Sequence, residues 1–289
     1  MKTVVVTGAT SLIGYFLLPR LANAGFQVIA VSRSKGTHWL EGITGVQGDI
    51  SNPESLRMKE QFSNVQLLIH LAPLWLLPEF LKKFPSSKNL RTIAFSSTSR
   101  LSKIDSNNLA DRTVAQKLAN AEDILLATYA SQITIFRPTL IYGAGLDKNI
   151  STISQWVTRF KFFPLIGEAS GLRQPVHADD LAKACLQVVE KPAAKGNIYN
   201  LTGGEVISYR TMVERIFTAL KIRSRFVVLP TRMIKVLIRM MSVIPKYKDL
   251  TPEMAVRMNK DLMFDATAAS QEFGYQARDF HPDKIDIVQ

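Results

Sequence analysis

Hydrophobic positions along the chain fall into short β-branched blocks separated by turn residues, and most blocks are followed by a longer stretch of helical period. Thr3 to Val6 are apolar on consecutive positions, the pattern of a strand covered on both faces, as in the middle of a parallel sheet. A helix is predicted over 11–24, ended by Gly25, and Gln27 to Val31 form the next strand. Further strands are expected around Val46, over Val65 to Leu71, Leu90 to Phe95, Ile133 to Phe136 and Ile198 to Leu201. Helices are expected from Pro53, over 149–163, and from Asp179 and Asp180, whose carboxylates suit a helix N-terminus. Strands alternating with helices predict an α/β chain with a doubly wound parallel sheet.

The first strand runs directly into a glycine-bearing turn. In KTVVVTGATSLIG, residues 2–14, Gly8 allows a sharp turn and Gly14 removes a side chain where the helix lies close to the sheet. Free backbone N–H groups at the start of that helix, with the positive end of its dipole, make a site for a pyrophosphate. Ser11 stands where a third glycine of such a turn is common, and its Cβ takes space there while its hydroxyl gains a donor. After the second strand the chain reads Ser32, Arg33, Ser34, with no acidic side chain to bind a ribose 2′-hydroxyl. Arg33 is either a fork for a 2′-phosphate or a solvated loop arginine. Asp49 is either an acceptor for an adenine amino group or a cap for the helix that follows. The fifth strand ends in Ser96, Ser97, Thr98 and Ser99, hydroxyls at the carboxyl end of a parallel strand, where ligands of such sheets bind.

Composition narrows the class. The 289 residues carry one cysteine, Cys185, which excludes an internal disulfide framework and fits a reducing compartment. His38, His70, His177 and His281 are scattered without ligand spacing, so no metal is expected. Polar Thr7, Gly8 and Thr10 stand where a signal peptide needs an apolar run, and a cytoplasmic location is expected. Net charge is +12, and residues 205–260 hold 12 Lys and Arg against 4 Asp and Glu. That bias suits anionic partners, but no reader fold or aromatic platform for nucleic acid accompanies it, so none is expected.

Taken in order, TGATSLIG at 7–14, GDI at 48–50, IHLA at 69–72, FSSTS at 95–99, RPTLIYG at 137–143, LRQPVHADDLA at 172–182 and IYNLTGGE at 198–205 resemble the extended short-chain dehydrogenase/reductase superfamily. More narrowly, they resemble the NAD-dependent epimerase/dehydratase family, whose members act mainly on nucleotide sugars. The resemblance implies a Rossmann-type sheet over 1–145 and a smaller, interleaved C-terminal substrate lobe over 146–289, with 175–201 returning to the core sheet. It implies a cofactor site of Gly8, Thr10, Ser11, Leu12, Ile13, Gly14, Ser32, Arg33, Asp49, Ile50, Leu71, Ala72 and Lys117, and Arg33 favours NADP(H) over NAD(H). Thr98 matches the family's catalytic Ser/Thr, and Lys117 its lysine. On the substrate side stand Tyr142, Arg173 and His177. The family's tyrosine, four residues before the lysine, is Thr113 here. An alcohol does not replace a phenol as proton donor, and general acid catalysis is worth roughly 10²- to 10⁴-fold.

Two function classes therefore stand side by side. The first is an NAD(P)-dependent epimerase/dehydratase-like oxidoreductase acting on a nucleotide-linked or lipid-linked sugar. The second is an NAD(P)-binding protein with little or no turnover, in a structural or regulatory role. A helix expected over 231–244, TRMIKVLIRMMSVI, sets Arg232, Lys235 and Arg239 on one stripe of an otherwise apolar surface. It is either buried in a lobe interface or lies on a membrane surface, and it is too short to span one. A dimer is the assembly to test.

Overall fold

In the computed structural model, which describes residues 2–34, 39–56, 62, 64–85, 90–230 and 257–288, the first strand β1 (Thr3–Thr7) lies at the centre of a parallel sheet. Its Val4, Val5 and Val6 are wholly buried, and their alternation divides the core. Val4 and Val6 face one layer of helices while Val5 faces the other. Each such side chain removed from water stabilises the fold by roughly 1.5–3 kcal/mol.

The elements follow in order as α1 (Leu12–Asn23), β2 (Gln27–Ser32), β3 (Ile43–Gln47), β4 (Leu67–His70), α2 (Leu77–Lys83), β5 (Arg91–Phe95), α3 (Ser99–Ser102), α4 (Leu109–Tyr129) and β6 (Ile133–Pro138). The chain continues through β7 (Ile141–Tyr142), α5 (Ile150–Phe160), β8 (Phe163–Ile166), β9 (Leu172–Arg173), β10 (Val176–His177), α6 (Ala178–Val189) and β11 (Ile198–Leu201). Last come β12 (Ile207–Ser208), α7 (Tyr209–Ala219), β13 (Phe226–Leu229), α8 (Thr267–Phe273) and α9 (Lys284–Ile287).

Seven parallel strands run in the order β11-β6-β5-β4-β1-β2-β3, so the order reverses between β1 and β4. This is the Rossmann-type arrangement, and the reversal opens a crevice at the carboxyl ends of those two strands. One face is covered by α1 and α6, whose Leu17, Leu21, Leu181 and Val188 pack on Val4, Val6, Leu67 and Ile93. The other face is covered by α2 and α4, with Phe80, Leu118 and Leu125 on Val5, Ile29 and Leu68. A third cluster, built from Ile150, Val157, Leu165, Met212, Ile216 and Phe280, forms beyond the sheet and uses residues from α5 to α9.

The helix expected over 149–163 ends sooner. Lys161 takes a left-handed φ of 61° and caps α5 after Phe160, and Phe163 then opens β8, which pairs with β13. Two aromatic residues counted toward the helix thus belong to the turn and the strand after it. The segment 231–244 lies outside the described residues. No helix among the described residues is long and apolar enough to cross a membrane.

Candidate cofactor crevice and substrate cavity

The turn between β1 and α1 is pressed against the end of β4. Gly8 has φ +68°, and a Cβ on it would sit 2.7 Å from the Ala72 nitrogen and 2.8 Å from the Leu71 carbonyl carbon. Only glycine meets both conditions at once. A Cβ on Gly14 would collide with the Ala9 carbonyl oxygen, so the crowding that this glycine relieves lies within the turn itself. Ser11 is the N-cap of α1: the Gly14 N–H donates to its Oγ at 3.2 Å. That bond takes up one first-turn donor and leaves the Ser11 hydroxyl proton available. By helix geometry the N–H groups of Leu12 and Ile13 have no intrahelical acceptor.

Two cavities meet at this turn, and Ser11 and Leu71 belong to both. The smaller, of about 330 Å³, extends over β2 and is lined by Gly8, Thr10, Ser32, Arg33, Asp49, Ile50, Ala72 and Leu76 among others. Arg33 is exposed at its rim. Asp49 accepts from the Ser51 hydroxyl at 2.7 Å and from the Ser51 N–H at 2.9 Å, both on Oδ1. Those two bonds hold its carboxyl below the ordinary value against the opposing effect of burial, and the charge of Arg33 adds to them more weakly. Beneath the junction, His70 is wholly buried at the end of β4. Its Nε2 donates to the Pro73 carbonyl at 3.3 Å, so Nδ1 is the acceptor for the Thr7 hydroxyl at 2.8 Å. Burial pushes the imidazole down to about 4, a loss of proton affinity that the Pro73 contact only partly offsets.

The larger cavity, of about 700 Å³, opens on the other side of the turn and is lined by Leu12, Ile13, Ser97, Thr98 and Ser99 and by apolar side chains of the third cluster. Thr98 is 6% exposed and its hydroxyl donates to the Pro138 carbonyl at 3.1 Å, so towards the cavity it offers lone pairs. Ser97 Oγ accepts the Ser99 N–H at 3.1 Å and keeps its own proton to give. Lys117 lines neither cavity: it is exposed on α4, with Nζ 5.6 Å from the centre of the Trp75 ring. Thr113 is exposed one turn earlier, its hydroxyl donating to Leu109 O at 2.8 Å. Thr98 lines the larger cavity and Lys117 does not; the helix face carrying 113 and 117 is turned to solvent and, at Lys117, to Trp75.

The substrate-side expectations meet tertiary contacts that local sequence does not show. Tyr142 is 1% exposed and packs edge-on against His177 and Phe280, ring centres 5.0 Å and 4.9 Å away. Burial, with Asp286 adding to it, raises its phenol far above the ordinary value, and it lines neither cavity. His177 likewise lines neither cavity. Its Nδ1 accepts the Asp179 N–H at 3.1 Å as N-cap of α6, and its Nε2 donates to Asp286 Oδ1 at 3.0 Å. Arg173 does line the larger cavity, but its guanidinium is already engaged. It donates to the carbonyls of Leu172 and Lys260 at 2.7 Å and to that of Arg257, and lies over the Tyr209 ring. Asp179 and Asp180 pair with Arg278, and Asp179 with Arg20, as ties between α6 and its neighbours, while Lys183 pairs with Asp180 within the helix.

Other groups were not singled out by sequence. Lys103 and Arg257 both line the larger cavity and both pair with Asp111, Lys103 at 2.7 Å. Glu122, 1% exposed on α4, accepts from Ser96 at 2.6 Å and from both forks of Arg137, with Arg100 2.9 Å away. It fixes the strand end that carries Ser97 and Thr98. Among the described residues Glu205, Asp279 and His281 approach one another closely enough to share an ion. Glu205 is instead held in a two-pronged bond by Arg215 and accepts the Phe280 N–H at 2.8 Å.

Chains of known character share this fold. The model of the NAD dependent epimerase/dehydratase family matches residues 4–75 and 114–202, more than half of the chain. The chain belongs to that family. A relative from Dictyostelium discoideum, named as mitochondrial NADH dehydrogenase [ubiquinone] 1 alpha subcomplex subunit 9, is 26% identical over 237 residues, which are 73% of this chain and 62% of the relative. The chain thus matches less than two thirds of that protein's length. The NAD complex of dTDP-glucose 4,6-dehydratase from Bacillus anthracis superposes with a TM-score of 0.68 at 18% identity, over 96% of this chain and 92% of that one. UDP-glucose 4-epimerase from Thermotoga maritima, solved with UDP-glucose, gives 0.70 at 16% identity over 95% and 93%. At such identities the two structures establish a common fold.

Proposed function

We propose that the protein binds NADP(H) in preference to NAD(H) across the β1–α1 turn and acts as an epimerase/dehydratase-like oxidoreductase on a nucleotide-linked or lipid-linked sugar. The observation that carries the reading is the junction of the two cavities at Ser11 and Leu71, under the N-terminus of α1 and at the point where strand order reverses. The residues fit a dinucleotide. The smaller cavity has Arg33 for a 2′-phosphate and Asp49 Oδ2 for an adenosine donor, the N–H groups of Leu12 and Ile13 face the pyrophosphate position, and Thr98 stands on the nicotinamide side. When bound, the nicotinamide supplies hydride transfer. The chain's part is to hold it, to exclude water with the apolar wall, and to place Ser97 and Thr98 against the substrate oxygen. Calorimetry with NADPH and NADH tests the reading: tighter NADPH binding is expected, and equal affinities would remove the preference.

A second reading is favoured by Thr113 and Lys117 lining neither cavity. A cofactor bound without the tyrosine–lysine proton donor turns over slowly, and the protein then serves as a nicotinamide-nucleotide carrier in a larger assembly. Mass spectrometry of the nucleotide that co-purifies, followed by a single-turnover assay, separates the two: a nucleotide that keeps one redox state through repeated substrate challenge supports the carrier. For residues 231–244 we keep the membrane-surface reading as part of the proposal. Salt-sensitive sedimentation with anionic vesicles is its expected sign, and none at low salt would end it. Sedimentation velocity tests for a dimer.

A further inference from the structure

Charge on the wall of the larger cavity is one-sided. Among the described residues Lys103, Lys148, Arg173 and Arg257 line it against a single carboxylate, Asp147, whose oxygens accept the N–H groups of Asn149, Ile150 and Ser151. Lys103 and Arg257 divide one carboxylate, Asp111, between them, and Lys148 is exposed and makes no ion pair among the described residues. The acceptors of Arg173 are main-chain carbonyls, which leave its charge in place. Such a wall favours an anionic ligand, and the apolar side chains between these groups lend each charge more weight by keeping water away.

An anion taken out of water also needs hydrogen-bond donors. Several neutral donors of the wall are already spent on main-chain carbonyls: the hydroxyl of Thr98 on Pro138, that of Thr139 on Gln174, that of Thr152 on Lys148, and the Gln174 amide on Phe264. Tyr209 differs. It is the first residue of α7, its N–H donates to the Gly171 carbonyl at 2.9 Å, and the Arg173 guanidinium lies over its ring, 5.5 Å from the centre. The backbone and one ring face are thus held, while the side chain is half-buried and lines the cavity. Its hydroxyl makes no hydrogen bond among the described residues and is not sealed in. Burial pushes the phenol up to about 12 against the charge of Arg173, so at neutral pH it keeps its proton and can donate it in a hydrogen bond.

We propose that Tyr209 is a substrate-binding donor of the larger cavity, its hydroxyl donating to a phosphate oxygen of the diphosphate that joins the sugar to its nucleotide or lipid carrier. The proposal rests on the reading of this cavity as the substrate side of a nicotinamide-nucleotide site, and it names Tyr209 in place of Tyr142 as the phenol that meets the substrate. The test is isothermal titration of the NADPH-loaded full chain with UDP and, separately, with farnesyl diphosphate. Both carry the diphosphate without the sugar, and the tighter of the two assigns the carrier as nucleotide or lipid. Tyr209→Phe keeps the ring beneath Arg173 and removes only the hydroxyl. It is expected to weaken the tighter diphosphate at least fivefold, to leave NADPH affinity within twofold, and to leave the urea midpoint in place, because the hydroxyl has no partner to lose. The matching compound without the diphosphate, uridine or farnesol, is expected to bind variant and parent alike. A smaller loss, an equal loss for the compound without the diphosphate, a destabilised variant, or no binding of either diphosphate would each overturn the proposal. An absence of NADPH binding is a separate result: it would remove the cofactor reading and this proposal with it, whereas NADPH binding without diphosphate binding overturns the proposal alone.

Discussion

Acid should loosen this protein through His70 before most carboxylates protonate. The imidazole is wholly buried and its pKa falls from an ordinary 6.5 to about 4 in the folded chain. Between those values the unfolded chain carries a proton there and the native one does not. Unfolding therefore takes up a proton, and stability rises with pH across the window and is lost as pH falls through it. At about 1.36 kcal/mol for every pH unit that separates the folded and unfolded values, the window is worth roughly 3 kcal/mol in full, and the share lost between pH 7 and pH 5 is about 2 kcal/mol. Urea unfolding at the two pH values measures it. His70→Gln is the control, because an amide keeps an acceptor for the Thr7 hydroxyl and a donor for the Pro73 carbonyl and carries no proton to titrate. The variant should lose about 2 kcal/mol less than the parent on acidification. An equal loss in both proteins would show that the acid sensitivity resides elsewhere and that the buried neutral imidazole is not its source.

Gly8→Ala should destabilise by roughly 2–5 kcal/mol, from the left-handed backbone together with the clash against Leu71 and Ala72, and should weaken NADPH in parallel; unchanged melting and affinity would refute the packing described for the turn. Arg33→Asp should cost NADPH about 1.5–3 kcal/mol of binding and spare NADH, read by calorimetry, and a uniform loss for both nucleotides would deny the 2′-phosphate contact. Glu122→Ala leaves Arg137 and Arg100 without their carboxylate and should cost about 3–5 kcal/mol in urea unfolding; a loss below about 1 kcal/mol would mean the pair is dispensable. Thr113→Tyr should leave reductase turnover unchanged, since position 113 faces solvent, and a gain abolished by Lys117→Ala would return the pair to catalysis.

Whereas the capping role of Ser11 was not foreseen, the first strand and its glycine turn were legible because they rest on local chemistry, consecutive β-branched residues and the sharp turn that Gly8 makes with a positive φ. The same holds for Arg33 and Asp49, whose positions at the ends of β2 and β3 place them by topology alone. Tyr142 and His177, expected on the substrate side, make contacts that the sequence conceals. Their partners Phe280 and Asp286 arrive more than a hundred residues later, and only the folded chain shows that these aromatic groups are core. Lys117 could be assigned to a helix but not to a face of the site, since Trp75 is what receives it. The larger cavity had no linear signal at all: Leu12, Trp156, Met212 and Leu262 come from four separate segments.

The wall shared at Ser11 and Leu71 has a consequence for binding. Whatever fills the smaller cavity becomes a surface of the larger one, so the two ligands are neighbours and not independent tenants. Occupancy of either changes the affinity of the other by one common factor, as thermodynamic linkage requires. Raising the concentration of one ligand therefore shifts the apparent affinity of the other, whichever is added first.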